Sequence, residues 1–372
     1  MPFVFWAAVG LMAYAYIGYV AWLWVRSRLH SWPVQSGPYF PSVSILLVVR
    51  NEGATVVQKL RNLLEMNYPK SKTEIIVVSD GSTDDTNKIL TQFAETSQLK
   101  VILSPQSRGK AAGLNDAINA ATGEIVVFTD VRQHIDADAV LRLMENFADS
   151  CVGCVSGELI LGDPVTGEST RRIGLYWKFE KFVRRTEATS RSVVGATGAL
   201  YAVRRSLLVP LPPDTILDDV FIPMQVVRQG ARVIIDQRAR VWDVPDLGIK
   251  REFARKVRTL SGIYQLVWTQ PWLLGRTNPL SFEFISHKLL RLAVPFALCA
   301  ALVSSALLHP LIYRVALLLQ LGFYSLIVLR VFPKHNPLAR IADAAFTFIL
   351  LNAAALVAFG NFVVRRKPAW GH

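Results

Sequence analysis

The chain has 372 residues, 52% of them hydrophobic and 19% charged, and a formal net charge of +13. That is too apolar for an ordinary soluble enzyme. With no dense Lys/Arg stripe and no recognisable nucleic-acid module, the charge points to an anionic membrane surface rather than to nucleic acid. The length allows one large domain or two ordinary ones.

The apolar excess is local. Phe3 to Val25 runs without a charge, enough to cross a bilayer core of roughly 30 Å. Leu292 to Tyr313 is uncharged apart from His309, Leu311 to Leu329 holds a single Arg314, and Ala344 to Val364 is uncharged. These segments predict four transmembrane helices, one before and three after a polar block. The first is predicted to be an uncleaved anchor within residues 1–28, because its apolar run is too long for a signal peptide and no basic residue precedes it. Arg26, Arg28 and His30 follow it, so the positive-inside rule places the polar block on the cytoplasmic face of a plasma membrane of the bacterial inner type. Arg330, Lys334 and Arg340 agree, whereas Arg365-Arg366-Lys367 would fall outside. Cys151 and Cys154 form a lone Cys-x-x-Cys with no further zinc ligands nearby.

The polar block opens with a Pro-rich linker, Ser31 to Pro41. A strand is predicted at Val43–Val49 and a helix at Thr55–Met66. They are followed by a strand at Glu74–Ser79, a helix at Thr83–Phe93 and a strand at Leu99–Leu103. A helix at Lys110–Ala120 and a strand at Glu124–Thr129 complete the series. This alternation implies a mainly parallel sheet with helices on both faces. Ligands bind such sheets beyond the carboxyl ends of the strands. Arg50-Asn51-Glu52-Gly53, Asp80-Gly81-Ser82 and Asp130 all fall there. Residues ~151–257 mix short strands with helices. An amphipathic, aromatic-rich segment, 258–288, then leads into a membrane bundle at 289–372, with Trp268 and Trp272 suited to the interface.

Several motifs carry chemistry. In Asp80-Gly81-Ser82-Thr83-Asp84, Ser82 or Thr83 can cap a helix, but Asp80 precedes the cap and can accept the imide N–H of a uracil. Arg108 and Lys110 at a helix start oppose the dipole, which favours a docked polyanion there. Asp218-Asp219 precedes an apparent helix, Val220 to Gly230, so one acid can be its N-cap while the other stays available. The small residues Gly195, Thr197 and Gly198 allow close approach to the backbone, with a tight turn as the alternative.

The order Val49-Arg50-Asn51-Glu52-Gly53, Asp80-Gly81-Ser82-Thr83-Asp84, Arg108-Gly109-Lys110, Phe128-Thr129-Asp130 and Leu217-Asp218-Asp219 resembles membrane-bound family 2 glycosyltransferases over residues ~40–260. The resemblance implies an α/β GT-A domain at 40–257 inserted between transmembrane helices. It implies an inverting enzyme that uses a nucleotide-diphosphate sugar, with UDP expected. The acceptor would be a lipid or lipid-linked saccharide, in glycolipid or exopolysaccharide synthesis. By the same resemblance Arg50, Asn51, Glu52, Asp80 and Lys110 bind the nucleotide, Arg255 and Arg258 the diphosphate, and Asp219 is the general base, with Gly195, Thr197, Gly198 and Asp218 beside the acceptor or donor sugar. Asp130 matches the first acid of the family's Asp-x-Asp and would hold Mg²⁺ or Mn²⁺. Arg132 stands where the second acid belongs, which leaves three alternatives. Asp130 holds the metal alone, Arg132 supplies the missing positive charge to the diphosphate, or Arg132 pairs with Asp130 structurally. The glutamine and tryptophan of the family's Gln-x-x-Arg-Trp are absent around Arg258, which counts against a processive, polymer-exporting synthase. An inert sugar-nucleotide sensor or membrane scaffold is the alternative of another class.

Overall fold

The computed structural model describes residues 1–97, 99–164, 175–244, 248–331 and 337–364. Among these residues eight strands form one sheet: β1 Val43–Val49, β2 Thr73–Asp80, β3 Leu99–Ser104, β4 Ile125–Thr129, β5 His134–Ile135, β6 Val152–Leu161, β7 Leu200–Arg204 and β8 Arg232–Asp243. Their order is β3-β2-β1-β4-β7-β6-β8-β5. The first four are parallel, with Val43 opposite both Thr73 and Ile125. β7 then runs antiparallel to β4 and β6, so the sheet is mixed rather than mainly parallel. The parallel half is the part whose strand–helix alternation is visible in the sequence.

All seven residues of β1 are buried, as expected of a strand covered on both faces. Successive side chains point to opposite sides. Leu46 and Val48 join one core with Ile76, Val78 and the helix α4 (Lys110–Ala120). Ile45, Leu47 and Val49 join the other, with α2 (Val56–Leu64), α3 (Thr86–Thr96) and α5 (Ala139–Glu145). Gly113 lets α4 lie close on the sheet, since a Cβ there would sit 2.7 Å from Val48 Cγ1. α3 starts three residues later than expected. Asp84 Oδ1 accepts the Thr86 N–H at 3.0 Å, holding residues 82–85 in a turn.

Three further helices complete the polar block: α6 Leu175–Ser190, α7 Asp218–Arg228 and α8 Ile249–Thr269. α8 runs continuously through the expected domain boundary at 257/258. Among the described residues, four helices are long and apolar enough to cross a membrane: α1 Pro2–Leu29, α9 Ser281–Leu307, α10 Leu311–Leu329 and the span Ile341–Val363 of α11, which begins at Pro337. α1 packs on α9 through Phe5, Ala8, Ala297 and Ala301. Arg26 pairs with Glu283 beside this bundle. Trp268 is 72% exposed, whereas Trp272 lies under the Arg228 guanidinium at 4.8 Å. Lys334 and the basic stretch 365–367 lie outside the described residues. Cys151, Cys154 and Cys299 are free.

Candidate active site

The carboxyl ends of β1, β2 and β4 and the start of α7 are linked by side-chain contacts through the loops that follow β1 and β2 and the start of α4. At the end of β2, Asp80 is fully buried. Its Oδ1 accepts the Arg108 N–H at 2.8 Å, and its Oδ2 accepts the Ser107 hydroxyl at 2.8 Å and the Gly109 N–H at 2.9 Å. Asp80 therefore anchors the loop that launches α4, and a base would have to share oxygens already engaged there. Gly81 (φ +63) makes this fit possible, since a Cβ would fall 2.3 Å from Ser107 N. The loop after β1 is tied to the next turn. Asn51 (φ 53) accepts the Thr83 N–H at 2.8 Å through Oδ1, and the Glu52 N–H donates to Thr86 Oγ1 at 2.9 Å. Half-buried Arg50 precedes them. Arg50, Asn51 and Glu52 are thus brought to one rim with Asp80 beneath it.

Lys110 is the first residue of α4. Its Nζ lies 3.0 Å from Asp130 Oδ1 and 3.1 Å from Asp218 Oδ1. Burial opposes its charge, but the two carboxylates prevail and raise its pKa above the usual lysine range. Arg108 pairs with Asp116. The two cations expected to await a polyanion therefore already have protein carboxylates. Arg132 is exposed and has no hydrogen bond or ion pair among the described residues. The structural Arg132–Asp130 pair is not formed, because Lys110 takes that place. Beneath Asp130 lies a residue the motifs did not flag. Lys59, only 2% exposed, donates to Thr129 Oγ1 at 2.9 Å and Gln133 O at 2.7 Å. Burial lowers its pKa to about 7, with Asp130 opposing.

α7 begins at Asp218, with Leu217 as its N-cap, so neither acid caps the helix; both sit in its first turn. Asp218 is 5% exposed and accepts the Tyr201 hydroxyl at 3.1 Å. Asp219 is half-buried, and its carboxylate has no hydrogen-bond partner among the described residues. Burial first, then repulsion from Asp218, raises its pKa to about 6, against the pull of Lys110 and Lys288. The backbone here follows from Pro223. Four residues after Asp219, it has no N–H to give the Asp219 carbonyl. The Ala196 N–H takes that carbonyl instead, at 2.7 Å. The loop 195–198 is therefore stitched to Asp219. A Cβ on Gly198 would lie 3.1 Å from Asp219 Oδ2, and one on Gly195 3.3 Å from its carbonyl oxygen. These small residues make room for Asp219, where the sequence suggested room for a sugar. Arg184 of α6 holds the same loop, donating to Thr197 Oγ1 at 2.8 Å, Ser156 Oγ at 3.2 Å and Gly195 O at 3.3 Å.

α8 braces the approach to this pair. A Cβ on Gly262 would meet Leu217 Cγ at 2.6 Å, and Gln265 Oε1 accepts the Ile216 N–H at 3.0 Å. One turn earlier, Arg258 is half-buried with no ion-pair partner among the described residues. Arg255 is spent on Glu252, at 2.5 Å, and lies 3.7 Å from Asp243.

The pattern of glycosyl transferase family 2 matches residues 44–209, from β1 through the Gly195–Gly198 loop to just past β7. The solved structure of the mannosyltransferase PcManGT from Pyrobaculum calidifontis, in complex with GDP-Man and Mn²⁺, superposes with a TM-score of 0.76 at 26% identity. It covers 98% of this chain and 100% of that one. Residues 44–209 form a glycosyltransferase family 2 domain. It is 27% identical over 254 residues to a poly-β-1,6-N-acetyl-D-glucosamine synthase of Staphylococcus epidermidis and 25% identical to that of Staphylococcus aureus. Each match covers 65% of this chain and 60% of the relative, so the chain spans about three fifths of the length of these curated relatives. This family 2 glycosyltransferase has the GT-A fold, flanked by one N-terminal and three C-terminal apolar helices.

Among the described residues of the glycosyltransferase, no three His, Cys, Asp or Glu side chains gather as a metal site. Asp130 offers one open oxygen, Oδ2, on a side chain that is 42% exposed. A single carboxylate suits Mg²⁺ or Mn²⁺ arriving with a diphosphate, whose oxygens and water would fill the octahedron. The residues fit a cation carried by the donor and do not form a resident cage.

Proposed function

We propose that the enzyme transfers one sugar, with inversion, from a nucleotide-diphosphate sugar to a hydroxyl of a lipid or lipid-linked acceptor at the cytoplasmic membrane face. The observation that carries this is Asp219: a half-buried carboxylate without a partner among the described residues, held near pKa 6 beside a neighbour fixed by Lys110 and Tyr201. A base is most effective when its pKa lies near the working pH. Asp219 takes the proton as the acceptor oxygen attacks the anomeric carbon. The bond from that carbon to the diphosphate breaks, and the nucleoside diphosphate leaves with the electron pair. One displacement inverts the anomer. Lys110, Arg132 and Arg258 offer positive charge to the leaving diphosphate. A divalent cation bound by Asp130 would supply further neutralisation there.

A UDP-sugar is the donor we favour, and the GDP-Man in the related mannosyltransferase makes GDP-mannose the donor to test beside it. The adjacent apolar helices and exposed Trp268 support an acceptor that arrives from the bilayer. The names of the curated relatives favour polymer synthesis as a second reading. The purified chain in detergent, given a panel of nucleotide sugars and lipid extract, should release nucleoside diphosphate only with one donor class and with lipid present. The product should be a single glycolipid. A product ladder would favour the synthase, and release that survives Asp219→Asn would refute the assigned base.

A further inference from the structure

α2 serves both halves of the candidate donor site. At its start the Glu52 carbonyl accepts the Thr55 and Val56 N–H groups, each at 2.9 Å, so the helix grows directly out of the Asn51-Glu52 rim. One turn in, Lys59 reaches the segment that joins β4 to β5. Its Nζ donates to Thr129 Oγ1 at 2.9 Å, at the end of β4, and to Gln133 O at 2.7 Å, just before β5. One ammonium thus closes the turn across its base. Three residues on, Asn62 pairs with the Ile135 backbone, its Oδ1 accepting the N–H at 2.9 Å and its Nδ2 donating to the carbonyl at 2.8 Å. The residues between the two Lys59 contacts are Asp130, Val131, Arg132 and the start of Gln133. Lys110 holds the Asp130 side chain, and Lys59 holds the backbone that carries it.

Thr129 extends the connection. Its hydroxyl donates to Ala199 O at 2.9 Å, directly after the loop whose Ala196 N–H is bonded to Asp219. The Asp130 turn and the Asp219 loop therefore share one anchor. The choice of side chain for that anchor is informative. Lys59 is 2% exposed, has no ion pair among the described residues, and meets two neutral oxygens. An ammonium buried without a carboxylate is costly, and a neutral donor could close the same turn. Such departures from the ordinary rules of burial are expected where a site has to be held in one geometry.

We propose that Lys59 is a positioning residue of the donor site, fixing the turn that presents Asp130 to the donor's cation and Arg132 to its diphosphate. It touches neither ligand and acts through the Thr129 hydroxyl and the Gln133 carbonyl. The proposal rests on the reading that Asp130 holds a cation carried by the donor. An outer partner that orients a metal ligand is worth about 10- to 100-fold in metal affinity.

The test is Mn²⁺ binding to the full chain in detergent, read from the EPR signal of the free ion with UDP present and with GDP run beside it. Lys59→Met should weaken Mn²⁺ binding in the presence of the nucleotide by about 10-fold or more. Asp130→Asn should lose at least as much. Adding Lys59→Met to Asp130→Asn should cost little further, since both changes act on one contact. Thr129→Val keeps the ammonium, removes one of its acceptors, and should reproduce part of the loss. Wild-type Mn²⁺ affinity in Lys59→Met, with the loss in Asp130→Asn intact, overturns this proposal alone. So does a Lys59→Met loss that adds in full to that of Asp130→Asn, which would make Lys59 a purely structural residue. If Lys59→Met does not fold, wild-type Mn²⁺ affinity in Thr129→Val overturns it. If Asp130→Asn binds Mn²⁺ as the wild type does, the cation reading falls and this proposal falls with it.

Discussion

Replacing Asp219 with asparagine should make the protein both inactive and more stable. Its carboxyl is moved from an ordinary 3.8 to about 6 by burial and by Asp218. At 1.36 kcal/mol per pH unit this is about 3 kcal/mol in favour of the protonated form, an upper figure for a half-buried group. An acid whose folded pKa lies above its unfolded value stabilises the fold while protonated. That contribution is full below about pH 3.8 and is lost as pH rises through about 6. Asparagine cannot ionise, so the variant gains most above pH 6 and almost nothing near pH 4. For a domain of this size the gain is several degrees in Tm, at roughly 2–4 °C per kcal/mol. Loss of a general base should cost about 10²- to 10⁴-fold in kcat/KM. Thermal melts in detergent across pH 4–8, run beside a nucleoside diphosphate release assay, check both. A variant that loses activity but melts at or below the wild type at pH 7.5 would show that Asp219 is stabilised by contacts, contrary to the burial argument.

In the wild type, kcat/KM should fall as pH drops through about 6, where Asp219 becomes protonated; a flat profile from pH 5 to 8 would count against it as the base. Lys110→Met removes a charge that lowers the Asp219 pKa, so the acid limb should move to higher pH and the rate should fall about 100-fold. An unmoved limb would separate Lys110 from the base. Gly198→Ala places a Cβ against Asp219 Oδ2 and should reduce kcat by about 10-fold with little change in donor KM, measurable by initial rates. EDTA should reduce activity and added Mn²⁺ or Mg²⁺ restore it, because Asp130 fits a cation carried by the donor. Full activity in EDTA would leave Arg132 and Lys110 as the charges on the diphosphate. Arg132→Ala should raise the donor KM without shifting the melting temperature, since its side chain holds nothing else among the described residues.

Local pattern determined much of this protein. The four apolar spans, the parallel β1–β4 half and α4 at Lys110–Ala120 are all readable, because membrane length and core periodicity are properties of short segments. The order of the acids was enough to indicate the family. The effect of Pro223 on the Asp219 carbonyl was not read from the sequence, and the donor that answers it, Ala196, is 23 residues away from Asp219 in the chain. Only the tertiary structure decided what each charge pairs with. Asp80 became a loop anchor, Lys110 closed the gap between Asp130 and Asp218, and Arg132 was left without a partner among the described residues. Propensity and periodicity act over one or two turns. The partner of a buried charge is set by which strand ends and helices share the site, and those lie tens to hundreds of residues apart in the chain.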